Sequence, residues 1–159
     1  MNSNFARAFA FGLVAVVVAV GAILFMQRGA HMVLPGTMKV RIVPTGDNDA
    51  LAVVDLHVSN PADYGFEVHN VTVTLVTSAG EFPQGIVSRT DAQRLFESKP
   101  EAGPFHPTLY TNAVIPAHTT ADYTLVAQFS APERILQDRK RFVVRFDEIN
   151  GKSIEFAEK

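Results

Sequence analysis

The chain has 159 residues, no cysteine and a formal net charge of −2, from 16 acidic and 14 basic side chains. That charge balance argues against nucleic acid as a partner of the whole surface, and the lack of cysteine excludes disulfides, thiolate metal sites and a lipidated N-terminal cysteine. The length suits one domain of ordinary size behind an N-terminal segment.

The N-terminal segment carries the strongest single signal. Residues 8–27 contain no charged side chain and are bracketed by Arg7 and Arg28. About 20 residues at about 1.5 Å each match the roughly 30 Å hydrocarbon core of a bilayer, so this stretch predicts a transmembrane helix. A cleaved signal peptide is the alternative, but the apolar run exceeds the usual length of about 7 to 15 residues and Arg28 stands where a small residue belongs.

The same segment sets the expected organisation and location. We expect residues 1–28 to be an uncleaved signal-anchor, residues 29–36 a short linker that keeps the domain near the bilayer, and residues 37–159 one β domain. Basic residues flank both ends of the span, so the positive-inside rule does not fix the orientation. Because an all-β domain directly after a signal-anchor is most often exported, we expect a single-pass membrane protein whose domain is extracytoplasmic, on the periplasmic side.

The first half of the domain alternates between apolar and polar residues, which is typical of strands. The predicted strands are residues 38–43, 51–59, 66–77 and 82–87. In the third of these, Phe66 and Val68 have the opposite parity to Val71 and Val73. A bulge near residues 69–70 would bring both sets into the core.

A long interruption follows at residues 88–108. Thr90 with Gln93 resembles a capping box and predicts a short helix over residues 89–97. Irregular insertions of this length are uncommon in compact domains and are often functional, and aromatic side chains on them can anchor a partner. The candidate partner-contact residues are therefore Phe96, Phe105 and His106. The alternative is that these aromatic residues only plug the open end of the fold.

The second half again predicts short strands, with one short helix among them. The predicted strands are residues 109–115, 122–129, 141–147 and 152–156, and the helix is residues 132–139. Ser130 and Glu133 resemble a second capping box at the start of that helix. Seven or eight short strands with two connecting helices indicate a mainly β fold, an immunoglobulin/fibronectin III-like β-sandwich without the cysteine and tryptophan of antibody domains.

Several short motifs carry a resemblance to a known family. They are Leu56-His57-Val58-Ser59-Asn60-Pro61, the strand 71–75, the turn at Gly80, and Ile115-Pro116-Ala117-His118-Thr119-Thr120 before residues 123–129. Over residues 51–129 this pattern resembles late embryogenesis abundant group 2 domains and related bacterial membrane-anchored sandwich domains. The resemblance implies a non-enzymatic fibronectin-like sandwich with no catalytic residues. The insertion at 88–108 is not part of that pattern.

Motifs for catalysis or cofactor binding are absent from the sequence. It contains no P-loop, no G-x-G-x-x-G, no G-x-S-x-G and no H-E-x-x-H. Asp55 and His57 would project from one face of a strand as two metal ligands, but no tight spacing brings His69, His106 or His118 to them. We therefore expect no enzymatic activity, no cofactor and no metal.

These observations predict a non-enzymatic, membrane-anchored interaction or structural module of the cell envelope. It binds a protein partner, and a close variant is a single-pass accessory subunit of a larger membrane complex. The alternative is a carrier whose two sheets splay to hold a lipid or another apolar ligand near the bilayer.

Overall fold

The computed structural model describes residues 12–22, 33–149 and 151–158, in two compact units, Met1–Met32 and Val33–Lys159. In the first unit, residues 12–22 form a helix whose side chains are all exposed. The rest of the predicted span 8–27 lies outside the described residues. No helix in the described part of the chain is both long and apolar enough to cross a bilayer.

The second unit is mainly β. Its described strands are β1 Gly36–Pro44, β2 Ala50–Asn60, β3 Phe66–Val76, β4 Glu81–Gly85, β5 Val114–Ile115, β6 Thr119–Phe129, β7 Arg141–Glu148 and β8 Ser153–Ala157. Its described helices are α1 Arg89–Ser98 and α2 Glu133–Gln137, with a 3₁₀ turn at Pro100–Ala102.

Two antiparallel sheets build this unit. One has the strand order β1-β2-β6, and the other has the order β4-β3-β7-β8, with β5 paired to the first residues of β3. The mainly β architecture with two sheets confirms the coarse fold prediction and is consistent with a β-sandwich.

The core lies between the sheets and follows the predicted alternation. Val54, Leu56 and Val58 of β2 are buried, as are Phe142 and Phe146 of β7. Each such side chain contributes about 1.5–3 kcal/mol when it leaves water, so these strands hold the two sheets together. The pairing register of β3 with β7 shifts between Val68 and Asn70, which confirms the predicted bulge.

The two long sides of the unit differ. On one side, Ile86 after β4 forms an isolated bridge with Ala127 of β6, and the amide of Val87 donates to the carbonyl of Val126 at 2.8 Å. On the other side, β1 and β8 border an open groove of about 680 Å³. The sheets are therefore joined along β4 and β6 and open along β1 and β8.

Two details differ from the prediction. The expected strand at residues 109–115 shrinks to Val114–Ile115, because Asn112 adopts a left-handed conformation and its amide donates to the carbonyl of Val68 at 2.7 Å. The expected capping box of Ser130 is also wrong, since Pro132 is the N-cap of α2 and makes no side-chain capping bond.

Candidate partner-binding surface

The insertion at residues 88–108 begins with α1, and Ser88 starts this helix. The Ser88 hydroxyl accepts a hydrogen bond from the Asp91 amide at 3.2 Å and donates one to the Asp91 carboxylate at 2.6 Å. This satisfies one of the free amides of the first turn. The predicted helix is confirmed, but its cap is two residues earlier than Thr90.

Helix α1 lies on the outer face of the β1-β2-β6 sheet. Ala92 of the helix is fully buried against Leu51 and Val53 of β2 and Val126 of β6. Leu51 and Val53 alternate with inward-facing Ala52 and Val54, which are also buried. Both faces of this part of β2 are therefore covered, one by the core and one by the insertion.

Two of the predicted contact residues meet on this surface. The rings of Phe96 and Phe105 lie 4.7 Å apart with an interplanar angle of 31°, and each is half-buried. They border a shallow depression of about 570 Å³ with Gln93, Glu97, Pro100 and Gly103. The pair thus lies on the outer face of the β1-β2-β6 sheet, packed against the buried cluster that includes Leu51 and Val53.

Arg41 of β1 fastens the insertion to the sheet. Its guanidinium donates two hydrogen bonds of 2.8 Å to the Asp55 carboxylate on β2 and one of 3.1 Å to the carbonyl of Pro104. The guanidinium carbon also lies 6.0 Å from the ring centre of Phe96. Such a bidentate pair is geometrically specific, so Arg41 fixes where the loop and the aromatic pair lie.

The third predicted contact residue, His106, takes part in a different local arrangement. Its backbone amide donates to the Thr124 hydroxyl at 3.1 Å, and this hydroxyl donates to Asp55 at 3.3 Å. The His106 residue lines a separate depression of about 230 Å³ that also contacts His57 and Asp122. In this depression His57 Nδ1 and Asp122 Oδ1 are 2.7 Å apart.

Three of the residues considered as metal ligands have other partners. Asp55 binds Arg41, His57 pairs with Asp122, and His118 Nε2 lies 3.1 Å from the Asp63 carboxylate. Within the described residues, no three histidine, aspartate or glutamate side chains are placed to hold one ion.

The interpretation of the sequence missed Arg41, Asp55 and Thr124 as the residues that position this surface. A signal for it was available. Residues 51–54 of β2 are an uninterrupted apolar run, which is typical of a strand buried on both faces. That run predicts that another segment covers the outer face of the sheet, but it does not identify that segment.

No protein-family model matches the chain, and no curated protein matches it. Among solved structures it resembles Northeast Structural Genomics Consortium target SoR45, with 11% identity over 79% of this chain and 82% of that chain and a TM-score of 0.40. It also resembles a target of the same consortium from Bordetella pertussis, with 12% identity over 80% and 89% of the two chains and a TM-score of 0.39. The function must therefore be inferred from the chain's own residues.

Proposed function

We propose that the chain is a membrane-anchored, non-enzymatic β-sandwich module of the cell envelope that binds a protein partner. The observation that carries this proposal is the helix at residues 12–22. All of its residues are glycine, alanine, valine or leucine, and every side chain is exposed. A helix that is apolar on all sides needs an apolar environment, and a bilayer supplies one.

The proposed sandwich type is immunoglobulin/fibronectin III-like, in keeping with the motif resemblance to late embryogenesis abundant group 2 domains. The strand orders support this type. Strands β1, β2 and β6 lie side by side like strands A, B and E, and β3, β7 and β8 like strands C, F and G. In the proposed function this domain acts through a surface rather than through a catalytic centre.

The proposed partner surface is the aromatic pair Phe96 and Phe105 with the adjacent His106. Half-buried aromatic rings on a fixed loop offer apolar area at little cost in conformational entropy when a partner binds. Arg41, which Asp55 fixes by a bidentate contact, donates to the Pro104 carbonyl and so holds that loop in place before binding. In the proposed arrangement the domain is exported, and its anchor keeps it beside a membrane complex.

The anchor is tested by extraction of native membranes. We expect the full-length chain to stay in the membrane pellet after washing at alkaline pH. A variant with Val14→Lys and Val18→Lys should be released, because each lysine at the centre of a span costs about 2.5–3.5 kcal/mol. The matched control is Val14→Leu with Val18→Leu, which should stay in the pellet. Release of the unsubstituted chain by the wash would contradict the anchor.

The orientation is tested by thiol labelling, because the chain contains no cysteine. The variant Ala79→Cys places one thiol on an exposed turn of the second unit. On spheroplasts, a reagent that cannot cross membranes should label this variant to the same extent as after lysis. Labelling only after lysis would place the domain in the cytoplasm.

The partner surface is tested by purification of the full-length chain from its own membranes in mild detergent. We expect a protein to co-purify with the unsubstituted chain and to be lost with Phe105→Ala. The control Phe82→Ala removes an exposed phenylalanine on β4, away from the insertion, and should retain the partner. Equal recovery with both variants, or no partner at all, would count against this surface.

An apolar-ligand carrier is the second candidate, supported by the open groove along β1 and β8. Leu34 and Phe156 are buried beside it, while Met38 and Val40 face it half-buried. A carrier predicts that an apolar fluorophore binds the full-length chain and that Val40→Arg weakens this binding. No change in the fluorophore's affinity on that substitution would remove this candidate.

A further inference from the structure

The second unit has two chemically different ends. The lower end, where β1 begins, comprises the described residues 33–35, 61–65, 112–118, 149, 151 and 152. The register places these segments together, since Asn60 pairs with Thr119, Phe66 with Ile115 and Val68 with Glu148. The upper end comprises residues 45–49, 77–80 and 133–140.

Exposed apolar side chains collect at the lower end. Among the described residues of this unit, the large apolar side chains there that stay exposed are Val33 at 65%, Tyr64 at 46%, Val114 at 52% and Ile149 at 54%. Val114 pairs with Glu67, whose carbonyl accepts the amide of Ile149. A Cβ at Gly65, next to Tyr64, would lie 2.8 Å from a Val114 methyl group. The backbone pairings thus place Tyr64, Val114 and Ile149 near the start of β3.

The lower end also carries Asp63, His118 and Lys152, whereas the upper end carries more ionisable residues. Its ionisable residues include Asp47, Asp49, Glu133, Arg134, Asp138 and Lys140. Ile135 is the large apolar side chain exposed there, and the other exposed ones, Phe82 and Tyr110, lie on the sides of the described unit. Isolated exposed apolar residues are normal, but a group of four at one end of a domain marks a contact.

Chain length indicates what that contact is. Only the five residues 28–32 separate the uncharged stretch 8–27 from Val33. Five extended residues reach at most about 18 Å, so a chain anchored by that stretch holds Val33 within reach of the lipid headgroups. A tyrosine with aliphatic neighbours suits that interfacial region, where the ring is apolar and the hydroxyl stays hydrated.

We infer that the lower end of the sandwich rests in the headgroup region of the bilayer, with Tyr64, Val114 and Ile149 in contact with lipid. This inference rests on the proposed membrane anchor. The contact fixes the domain upright, with the charged upper end farthest from the membrane and the insertion on a side wall, where a neighbouring membrane protein can meet it.

The test uses single-cysteine variants of the full-length chain in phosphatidylcholine vesicles. A fluorescent thiol label at Ile149→Cys reports on the lower end, and one at Ile135→Cys is the matched control, since both replace an exposed isoleucine. A lipid with a nitroxide near its headgroup should quench the label at 149 at least about twofold more than the label at 135. A label at Tyr64→Cys should behave like the label at 149.

A fourth label at Val17→Cys separates the two claims. Quenching at 17 by a second lipid, with its nitroxide near the end of the acyl chain, without excess headgroup quenching at 64 and 149 would overturn the resting contact and leave the anchor standing. No quenching at 17 by the acyl-chain nitroxide would remove the anchor itself. Labels at 64 and 149 that are shielded from both the lipid nitroxide and a water-soluble quencher would show a protein contact and would also overturn the inference.

Discussion

Gly103 shows how one residue can decide the position of the insertion. Its backbone has a φ of +91°, which favours glycine, and a Cβ there would collide with the guanidinium of Arg41. Arg41 cannot easily move aside, because Asp55 holds it by two hydrogen bonds. The close approach of this loop to the sheet therefore depends on the absence of a side chain.

We predict that Gly103→Ala loosens the insertion. The free energy of local opening should fall by about 1–3 kcal/mol, from backbone strain and the displaced guanidinium. The measurement is the rate of tryptic cleavage after Arg89 and Arg94 in the folded full-length chain. Gly46→Ala is the control, since a Cβ there would meet no atom within 4 Å. Equal cleavage rates for the two variants would contradict this role of Gly103.

Glu158, the residue after the end of β8, binds Arg139 and the backbone of β7. Arg139 Nε donates to its carboxylate at 2.8 Å, and the Phe142 amide donates at 3.2 Å. The hydrogen bond from Arg139 is the main cause that lowers the pKa of the Glu158 carboxyl below its ordinary value, and burial opposes it. The side chains of Arg139 and Glu158 are only 17% and 22% exposed, so solvent weakens this pair less than a surface pair.

This lowered pKa predicts a pH-dependent contribution to stability. Above the ordinary glutamate pKa the interaction stabilises the folded state fully, and as the pH falls through the lower folded-state pKa the contribution is lost. Glu158→Gln should therefore reduce the free energy of unfolding by about 1 kcal/mol at neutral pH and by little in acid. Urea unfolding of the full-length chain in a non-ionic detergent, followed by circular dichroism across pH, measures this. The exposed Glu155→Gln on β8 is the control, and a constant difference at all pH values would refute the prediction.

At the scale of single elements, α1 shows why a helix can be predicted while its first residue is missed. Both Ser88 with Asp91 and Thr90 with Gln93 have the spacing of a capping box, and the usual pattern with glutamate or glutamine favours Thr90. The amide of Val87 bonds to β6, which ends the extended chain at that residue. A hydrogen bond between residues distant in sequence therefore sets the start of the helix, and the local sequence pattern carries no information about that bond.

The caps can be told apart by substitution. We predict that Ser88→Ala destabilises α1 by about 1 kcal/mol through loss of the hydrogen bond to the Asp91 amide. Thr90→Ala should have a much smaller effect, because Thr90 lies inside the helix with its side chain exposed. Hydrogen exchange of the amides in the first turn of α1 measures the difference. A larger effect from Thr90→Ala would restore the cap that the sequence pattern favoured.

The strands also show which features can be predicted from residues close in sequence and which cannot. Alternation identified β1, β2, β3 and β7, and the parity change in β3 located its bulge, because these signals depend on residues close in sequence. The candidate partner-contact residues Phe96 and Phe105 were proposed from composition and loop context alone. Phe96 and Phe105 meet on the β1-β2-β6 sheet because of Arg41 and Asp55. These two residues are distant in sequence from the aromatic pair, and no spacing rule connects them with the loop.

At the scale of the whole domain, the two sheets are joined along one long side and open along the other. The side of β4 and β6 is joined by the Ile86 bridge and the Val87 hydrogen bond, and the outer face next to it carries the insertion. The side of β1 and β8 leaves both strands as edges. Exposed strand edges can pair with strands of other chains, so β1 offers an edge at which a partner strand can bind.

The free edge of β1 predicts an alternating pattern of hydrogen exchange. The Ser59 amide donates to the Pro35 carbonyl at 2.9 Å, and Lys39 and Arg41 of β1 pair with Asp55 and Val53 of β2. In this register the amides of Lys39 and Arg41 face β2 and those of Met38 and Val40 face outward. We expect slow exchange at Lys39 and Arg41, and exchange at Met38 and Val40 faster by about a hundredfold or more, because the amides of Met38 and Val40 donate to no strand of the sheet. Amide exchange followed by NMR on the full-length chain in detergent micelles measures this.

Val87, on the joined side, serves as the internal reference and should exchange slowly. Uniform protection along β1 in the isolated protein would mean that another strand already pairs with this edge, and would contradict the open side described here.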